Sequence, residues 1–237
     1  MSSPNQPLYA KIREDLILRI TSGRYPTGSC LPSEIALAEA EGVSPGTVRK
    51  AIDSLVADGV LRRHQGKGTF VAEQTEERAQ YQFFRMTNQA GERVTPIPST
   101  QRVHADHVTP EVAAKLSIHP GDPVWRIERK RLIDGQPALL ETIVVAQIDM
   151  PDLDEVAPLP NALYPFYQAR FGLSVITTED SLSAVTASAR DAASLGKTER
   201  TALLMIERVA RDLTGRAIEW RCTRCLTQHH AWSVTLR

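Results

Sequence analysis

Long apolar segments are missing from this chain, which nowhere reaches the eighteen or so consecutive apolar residues of a transmembrane helix. Its first residues, MSSPNQPLYAKIRED, also lack the apolar core of a secretion signal. Its three cysteines, Cys30, Cys222 and Cys225, are too few and too unevenly placed for a disulfide framework. The absences argue against a membrane or secreted protein, and we expect a cytoplasmic one with no membrane partner.

Net charge is absent as well, because 28 basic residues balance 28 acidic ones. The charge is nevertheless unevenly distributed. Residues 44–71 carry more basic than acidic side chains, namely Arg49, Lys50, Arg62, Arg63 and Lys67 against Asp53 and Asp58. A local basic excess on a balanced chain indicates a surface for nucleic acid. With 237 residues, of which 42% are hydrophobic, the chain is long enough for two domains with separate cores.

Three helices are predicted in the first sixty residues. The first is indicated by apolar residues four apart, Leu8, Ile12, Leu16 and Ile20. The second, EIALAEAE, follows the capping residue Ser33 and ends at Gly42. The third follows Ser44, a strong N-cap, with Pro45 at the position that tolerates a missing N–H. Two helices joined by a short turn that contains glycine are typical of a helix-turn-helix.

The third helix is predicted to have an apolar and a polar face. Its buried stripe consists of Val48, Ile52, Leu55 and Val56. Thr47, Arg49 and Lys50 are left to face outward near its beginning. In a helix-turn-helix, the N-terminal residues of the second helix contact base edges in the major groove.

A basic hairpin follows this helix directly. The stretch GVLRRHQGKGTFV alternates as two short strands, with His64, Gln65, Gly66, Lys67 and Gly68 at the turn. The glycines permit close approach of the backbone to a duplex, and the basic side chains can contact phosphates or enter the minor groove. A helical bundle with a charged exposed face would explain any single basic residue. The order of helix-turn-helix and glycine-tipped hairpin favours DNA binding instead.

The stretch LPSEIALAEAEGVSPGTVRKAIDSLVADGVLRRHQGKGTFVA resembles the winged helix-turn-helix of GntR-type bacterial transcription regulators. The resemblance covers about seventy residues and is much more specific than a generic helix-turn-helix. It places Ser44 to Lys50 in the recognition helix and His64 to Gly68 in the wing. The candidate DNA-binding residues are Ser33, Ser44, Thr47, Arg49, Lys50, His64, Gln65, Gly66, Lys67 and Gly68.

Two positions depart from the family pattern. Relatives commonly have an arginine after PSE and another after the serine of GVS, whereas this chain has Ile35 and Pro45 there. Both arginines contact DNA in relatives, so Arg49 is the chief remaining candidate for a guanine or phosphate contact. The operator sequence therefore does not follow from the resemblance.

The polar segment AEQTEERAQYQ follows the hairpin and has few core residues. We expect residues 1–72 to form the DNA-binding domain, residues 73–82 a linker and residues 83–237 a second domain. After the linker, a stretch that includes a proline-rich loop suggests short strands.

An internal repeat organises the second domain. TPEVAAKLSIHPGDPVWRIERKRLIDGQPALLE and SARDAASLGKTERTALLMIERVARDLTGRAIEW each predict a short helix, a turn and two strands joined by a DG or TG turn. Two copies are too few for a solenoid and fit a pseudo-twofold α+β domain around one mainly antiparallel sheet. A cleft between the copies would collect similar side chains from both.

Polar residues within these strands are candidate ligands. Arg129, Arg131 and Glu141 lie in the first copy, and Arg208, Arg211 and Glu219 are their rough counterparts. Taken singly, each is more simply explained as part of a solvated strand face. As a set, arginine forks beside glutamates suit a small polar or carboxylate-bearing molecule.

VWRIERKRLIDGQPALLE, LYPFYQARFGL and LLMIERVARDLTGRAIEWR resemble the UTRA effector-sensing domain of the HutC branch of GntR regulators, whose fold is akin to that of chorismate lyase. The resemblance covers roughly residues 83–237, with looser motifs than those of the DNA-binding part. It implies an effector site, and the candidate effector-binding residues are Arg85, Arg129, Arg131, Glu141, Tyr164 and Glu219. Sensors of phosphorylated amino sugars in this branch also use a hydroxyl and a tyrosine where this chain has Ala162 and Cys225. We therefore expect an organic acid or another small anionic metabolite.

Other signals carry less weight. Cys222 and Cys225 are three residues apart in a predicted strand and point to opposite faces, so they are unsuited to share a metal. The histidine pairs at 104 and 107 and at 229 and 230 lack a carboxylate–histidine scaffold in the pattern, and we expect structural or surface histidines. No nucleophile–base–acid set emerges, and we expect neither a catalytic site nor a cofactor.

The sequence thus predicts an α+β chain, with a winged helix-turn-helix followed by a mixed domain of chorismate-lyase-like fold. The expected function is a metabolite-responsive repressor that binds a palindromic operator as a homodimer, with repression relieved by the effector as the resemblance implies. Two alternatives remain at this point. One is an enzyme built on the lyase-like domain with a DNA-binding appendage, and the other is an architectural DNA-binding protein without an effector.

Overall fold

The computed structural model describes residues 6–75, 77 and 84–235. The chain divides into two compact units, residues 1–74 and 75–237. Most of the expected linker, residues 76 and 78–82, lies outside the described residues. In the part of the chain that the structure covers, no helix has the length and apolar character needed to cross a membrane.

The first unit begins with three helices, α1 (Leu8–Thr21), α2 (Glu34–Glu41) and α3 (Pro45–Ala57). The predicted starts of α2 and α3 are confirmed, because the capping side chains of Ser33 and Ser44 accept hydrogen bonds from backbone N–H groups in the first turn. Gly42 ends α2 in the left-handed conformation, with φ of +64°. The short turn between α2 and α3 holds the two helices as a helix-turn-helix.

The core of the first unit differs slightly from the predicted stripes. In α1, Ile12, Leu16 and Ile17 are buried, whereas Leu8 is 59% exposed at the start of the helix. In α3, Val48, Ala51, Ile52 and Leu55 are buried, and Val56 is only half-buried. The change follows from the helical period of 3.6 residues, since strict steps of four drift away from the buried face.

A two-stranded antiparallel hairpin, β1 (Leu61–His64) and β2 (Gly68–Val71), completes the first unit. The loop before α2 pairs with β2 of this hairpin. The N–H of Leu31 donates to the carbonyl of Thr69 at 2.8 Å, and Cys30 forms an isolated antiparallel β-bridge with Phe70. The hairpin is thereby fixed to the helices at its base, while its turn remains exposed.

The second unit is built on a six-stranded antiparallel sheet whose strand order is β4-β5-β6-β9-β8-β7. The strands are β4 (Ile97–His107), β5 (Pro123–Ile133), β6 (Gln136–Ala146), β7 (Thr177–Thr186), β8 (Ala202–Arg211) and β9 (Ala217–Cys225). A second, two-stranded sheet pairs β3 (Met86–Asn88) with β10 (His230–Trp232). The helices of this unit are α4 (Pro110–Leu116), α5 (Leu163–Phe171) and α6 (Ala189–Leu195).

The predicted internal repeat is confirmed by this topology. The first predicted copy forms α4, β5 and β6, and the second forms α6, β8 and β9. The structure extends the repeat by one strand before each copy, β4 and β7. The copies meet where β6 pairs with β9 at the centre of the sheet. The domain is therefore a pseudo-twofold α+β structure with one mainly antiparallel sheet, as the sequence indicates.

Helices cover both faces of the sheet. α4 and α6 pack on one face, against core residues that include Val124, Val144 and Leu203. α5 packs on the other face with a 3-10 helix (Leu153–Val156), over a core that includes Ile127 and Ile143. Of the charged residues predicted for the effector site, Arg129, Arg131, Glu141 and Glu219 lie on this second face, beside the apolar core.

Strand β4 is longer than the short strands predicted for its sequence, since it runs over 11 residues. Pro96 and Pro98 lie in the stretch that the sequence predicts to contain a proline-rich loop. Pro98 is accommodated because β4 is an edge strand and its register with β5 shifts between Pro98 and Thr100. Proline has no N–H to donate, and sheet edges and bulges are where this loss is tolerated.

Candidate functional sites

The first candidate site is the surface formed by the starts of α2 and α3 and by the hairpin. Ser44 Oγ accepts from the N–H of Thr47 at 3.2 Å and lies 2.9 Å from the Thr47 hydroxyl oxygen. Ser33 Oγ accepts from the N–H of Ala36 at 3.1 Å. Three of the predicted DNA-binding side chains thus fix the first turns of the two helices. These hydrogen bonds fix where each helix begins, and therefore where its first residues would meet a duplex.

A carboxylate at the start of α2 organises the basic side chains of this surface. Glu34 accepts from Arg49 Nε at 2.7 Å and from Arg63 Nη2 at 2.9 Å, and Arg63 also pairs with Asp53. The Arg49 side chain remains 63% exposed. Its hydrogen bond to Glu34 raises the pKa of Arg49 above its usual value. The guanidinium group is held in place and still faces solvent.

Lys50 is held on the other side of α3. Its Nζ lies 4.1 Å from the centre of the Tyr9 ring on α1, which is a cation–π contact. Lys50 is exposed, and its contact with Tyr9 directs the ammonium toward the start of α1.

Glycines shape the turn of the hairpin. The N–H of Lys67 donates to the carbonyl of His64 at 3.0 Å, with Gly66 at φ of +72° and Gly68 at +120°. A Cβ on Gly68 would lie 3.0 Å from the sulfur of Cys30, whereas one on Gly66 would meet nothing within 4 Å. Gln65 and Lys67 are exposed at the tip. A wing of this form can bring its backbone close to a duplex.

The three segments enclose a groove of about 490 Å³. Predicted DNA-binding residues that line it are Ser33, Arg49, His64, Gln65, Gly66 and Gly68. Ser44, Thr47, Lys50 and Lys67 are not among its lining residues. Ile35 and Pro45 do line it, and Ile35 is 62% exposed. The two positions at which relatives commonly carry arginine thus present apolar surface to the groove.

Sequence reasoning missed Glu34 and left Arg63 outside the list of candidate residues. Glu34 and Arg49 are 15 residues apart, and Glu34 and Arg63 are 29 apart. No helical or strand period connects such separations, so only the tertiary structure shows that one carboxylate serves both arginines.

The second candidate site lies in the second unit, on the sheet face beneath α5. A cavity of about 50 Å³ is lined by four predicted effector-binding residues, Arg85, Arg131, Glu141 and Tyr164. Arg208, Arg221 and Trp232 also line it. The two copies of the repeat both contribute, because Arg131 and Glu141 belong to the first and Arg208 and Arg221 to the second.

Arg131 is the most connected residue of the cavity and is 1% exposed. It donates from Nη1 to Glu141 Oε1 at 3.1 Å and from Nη2 to Asn161 Oδ1 at 2.6 Å and to the carbonyl of Pro96. Its Cζ lies 4.7 Å from the centre of the Phe84 ring. Arg131 thus joins β5, β6 and the segments that precede β3, β4 and α5.

Glu141 lies among arginines. Burial alone would raise the pKa of Glu141, but the guanidinium groups of Arg131, Arg221 and Arg129 lower it to about 2. Burial lowers the pKa of Arg129 to about 10 despite the nearby Glu141. Glu141 is therefore a carboxylate at ordinary pH.

Glu219 has four hydrogen-bond donors within the protein. It accepts from the hydroxyls of Tyr164 and Tyr167 at 3.0 and 2.8 Å, and from Arg221 Nε and Nη2, both at 3.0 Å. Burial raises the pKa of both tyrosines, so the phenols stay neutral and donate. Tyr164 and Glu219, which are both predicted to bind the effector, are thus hydrogen-bonded to each other in this structure.

Arg208 is paired in a similar way on β8. It donates to both carboxylate oxygens of Asp180 at 2.6 and 2.7 Å, and its Cζ lies 5.9 Å from the Trp232 ring centre. Burial lowers the pKa of Arg208, but the hydrogen bonds to Asp180 outweigh this effect and raise the pKa above its usual value.

Sequence analysis missed Arg221 and Tyr167. The alternation Glu219, Arg221, Thr223 along β9 could have placed Arg221 on the face of Glu219.

The cysteines of β9 lie as the strand pattern predicts. Cys222 pairs with Thr142 and Glu207, and Cys225 pairs with Leu139 and Leu204, which places them on opposite faces. Burial raises the pKa of Cys225 to about 12. Among the residues that the structure describes, no group of three or more histidines, cysteines or acids could hold a metal ion.

Family models match both units of the chain. Residues 8–71 match the model described as bacterial regulatory proteins, gntR family, and residues 98–231 match the UTRA domain. The matched regions contain the groove of the first unit and most residues of the cavity in the second.

Individual proteins resemble the chain along most of its length. It is 32% identical over 182 residues to the probable fructoselysine utilization operon transcriptional repressor of Escherichia coli (strain K12), covering 75% of this chain and 73% of the relative. It is 27% identical over 232 residues to the HTH-type transcriptional regulator GmuR of Bacillus subtilis (strain 168), covering 96% of each. Among solved structures, PhnF from Mycobacterium smegmatis is 26% identical, with a TM-score of 0.56 over 95% of this chain and 99% of that one.

Proposed function

Because the chain belongs to the GntR family of bacterial regulatory proteins and carries a UTRA domain, we propose that it is a repressor that binds a palindromic operator as a homodimer and is released by a small anionic effector. The family makes the chain a DNA-binding transcriptional regulator and not an enzyme, so the alternative of a lyase-like enzyme is wrong. The relative named as a probable transcriptional repressor supports the repressor role. Operator binding would place the protein in the cytoplasm.

The observation that carries the proposal is the groove between α2, α3 and the wing, with Arg49 and Arg63 held on one carboxylate. The start of α3 would enter the major groove, where Arg49 would reach a guanine or a phosphate. Lys67 would contact the phosphate backbone from the tip of the wing. Ile35 and Pro45 would give apolar contacts where relatives place arginine, which favours an operator different from theirs.

The second unit would sense the effector and supply most of the dimer contact. The proposed effector residues are Arg85, Arg129, Arg131, Glu141, Tyr164 and Glu219. An effector bound among them would change the equilibrium between two arrangements of the dimer, of which only one matches the spacing of the operator half-sites. Residues 73–82 would link the two domains, 1–72 and 83–237.

The proposal is tested with the 237-residue chain and bacterial genomic DNA fragments. Bound fragments are sequenced, and the recovered site is compared with a single half-site and a scrambled duplex by fluorescence anisotropy. We expect two chains per palindrome by mass photometry and much weaker binding to the half-site. Equal affinity for the half-site, or one chain per duplex, would contradict the homodimer. The bound complex is then titrated with organic acids, and an effector is recognised by release of the duplex.

A further inference from the structure

The sheet face beneath α5 carries a row of charged side chains that the six strands bring side by side. Every residue of these strands is described, and the strand register places the row across β5, β6, β9, β8 and β7. Its members are Arg129, Arg131, Glu141, Asp180, Arg208, Glu219 and Arg221. Four arginines therefore face three carboxylates, and one positive charge is left over.

Two of the ion pairs in this row are complete. Asp180 accepts from Arg208 with both oxygens, at 2.6 and 2.7 Å. Glu219 accepts from Arg221 at 3.0 Å with each of its oxygens and from two tyrosine hydroxyls as well. The half of the row contributed by the second copy is thus neutral and saturated with hydrogen bonds.

The uncompensated charge lies at the remaining three residues. Arg131 Nη1 lies 3.1 Å from Glu141 Oε1, and Arg129 Nε lies 3.9 Å from Oε2. Arg221, already paired with Glu219, also places its Nη1 3.5 Å from Glu141 Oε1. The exposed fractions of the three side chains are 0% for Arg129, 1% for Arg131 and 3% for Glu141. Two buried guanidinium groups on one carboxylate carry a net charge of +1. Burying such a charge is costly unless a partner neutralises it.

The same three residues also have polar atoms without hydrogen-bond partners. Nε and Nη1 of Arg129, Nε of Arg131 and Oε2 of Glu141 have no hydrogen-bond partner in the structure. Buried polar groups in proteins are normally paired, so unpaired ones call for a specific reason. The lowered pKa of Arg129, which reflects its burial, agrees with a site that lacks negative charge.

The two tyrosines, Arg85 and the helix beside these residues add no negative charge. Tyr164 and Tyr167 are neutral because burial raises the pKa of both. Arg85, which lines the 50 Å³ cavity, is basic. α5 begins at that cavity without a side-chain cap, since Ala162 is its N-cap, so the helix adds the partial positive charge of its N-terminus.

Two of the three residues line the cavity beneath α5. Arg131 and Glu141 line the 50 Å³ cavity, which has room for a group of a few atoms. A larger cleft of about 580 Å³ is lined mainly by residues of the opposite sheet face, among them Glu128, Lys130 and Arg190. The space open to the buried side chains is therefore the cavity beneath α5.

We propose that the effector is a small monoanionic hydroxycarboxylate whose carboxylate binds Arg129 and Arg131 and whose hydroxyl donates to Glu141 Oε2. One carboxylate contributes the single negative charge that the buried row lacks, and its two oxygens accept from the unpaired guanidinium N–H groups. The hydroxyl satisfies the unpaired acceptor. A phosphate monoester, which carries about −1.5 to −2 at neutral pH, would overcompensate the row. The role of this ligand as an effector rests on the proposed function. Its neutralisation of the buried charge does not.

Matched small molecules test the chemistry without DNA. Glycolate carries both groups, acetate lacks the hydroxyl, glycolamide lacks the charge, and inorganic phosphate replaces the carboxylate. Each is added at equal ionic strength to the full-length chain, and the Tm is measured. A ligand that binds the native state raises Tm, so we expect glycolate to raise it most, acetate less, and glycolamide and phosphate not at all. A larger effect of phosphate, an equal effect of glycolamide or no effect of glycolate would overturn the proposal. Equal effects of acetate and glycolate would overturn the role of Glu141.

A variant pair tests the missing charge within the protein. Gln101 lies opposite Arg129 in the β4–β5 register, and its amide donates to the carbonyl of Leu159 at 3.1 Å. Gln147 makes an equivalent bond to the carbonyl of Val124, also at 3.1 Å. Gln101→Glu and Gln147→Glu each lose such a bond and gain one negative charge, but only the first faces Arg129.

We expect Gln101→Glu to unfold at a Tm several degrees above that of Gln147→Glu, because its charge neutralises Arg129. It should also lose the response to glycolate, which Gln147→Glu should keep. Equal Tm values, or a retained response in Gln101→Glu, would overturn the proposal. Operator binding is measured separately by anisotropy. A chain that responds to glycolate but ignores operator DNA would refute the proposed function alone.

Discussion

Arg49 on α3 donates from Nε to Glu34 Oε2 on α2 at 2.7 Å. The recognition helix thus carries its chief DNA-reading candidate in a fixed orientation, since Glu34 lies at the first residue of α2 and also accepts from Arg63 of the hairpin. The recorded hydrogen bond uses Nε of Arg49, and the Nη groups of a guanidinium are those that contact a base edge or a phosphate in pairs.

Arg49→Lys should weaken operator binding nearly as much as Arg49→Ala. A guanidinium contacts guanine with two parallel N–H groups, and an ammonium cannot reproduce that geometry. We expect a loss of about five- to a hundredfold for both variants, measured by anisotropy on the operator. Scrambled duplex should be bound by Arg49→Lys as well as by wild type. If Arg49→Lys kept full operator affinity, Arg49 would act only as a charge.

Glu34→Gln should lower specificity while raising non-specific affinity. The substitution removes a negative charge from the groove, which strengthens attraction to any duplex. It also removes the acceptor that orients Arg49 and Arg63. The ratio of operator to scrambled-duplex affinity should fall, and circular dichroism should show an unchanged fold. An unchanged ratio would mean that Glu34 does not position the arginines on DNA.

Lys67→Ala should reduce the salt dependence of operator binding. Each phosphate neutralised by a basic side chain releases counterions, so its loss lowers the slope of log K against log salt by about one. Lys197→Ala serves as the matched control, because Lys197 is exposed in the second unit beyond the end of α6. The control should leave the slope unchanged. Equal slopes for Lys67→Ala and wild type would remove Lys67 from the phosphate contacts.

The order of elements was readable from the sequence because local signals agree with the final structure. Ser33 and Ser44 cap helices where the pattern places them, and the repeat predicts the two halves of the sheet. The strand β4 was underestimated because Pro98 reads as a breaker unless the strand is known to lie at an edge with a bulge. Whether a strand is at an edge is decided by pairing with distant segments.

The candidate sites were predictable in kind but not in their pairing. Alternation along the strands singles out Arg129, Arg131 and Glu141, and the structure brings these three together. The alternation along the strands does not reveal that Glu219 is saturated by Arg221 and two tyrosines. Partners far apart in the chain are set by the register between β6, β8 and β9, which no local period encodes.

Gly68→Ala should destabilise the protein more than Gly66→Ala. Both substitutions force a side chain into positive φ, but a Cβ at Gly68 would also lie 3.0 Å from the sulfur of Cys30. At φ of +120° the backbone strain alone is about 1–3 kcal/mol. Cys30→Ala in the Gly68→Ala background should recover the part due to contact and not the part due to φ. Urea unfolding of the four proteins measures both parts, and equal losses at the two glycines would contradict the contact.

Acid should weaken the second unit through Glu141. The pKa of this carboxyl is lowered from 4.5 to about 2 in the folded chain, because the attraction of Arg131, Arg221 and Arg129 outweighs its burial. A depressed pKa gives stability that is fully present above pH 4.5 and is lost as pH falls toward 2.

The matching substitution is Glu141→Gln, which leaves the three arginines without their shared charge. At neutral pH it should lower the free energy of unfolding by about 3 kcal/mol, and this difference from wild type should shrink as pH falls from 4.5 toward 2. Glu128→Gln is the control, because Glu128 forms an ion pair with the exposed Arg190 on the other face of the sheet. Its effect should stay below about 1 kcal/mol. Denaturant unfolding across this pH range measures both differences, and a pH-independent loss in Glu141→Gln would show that shape rather than charge holds Glu141 in place.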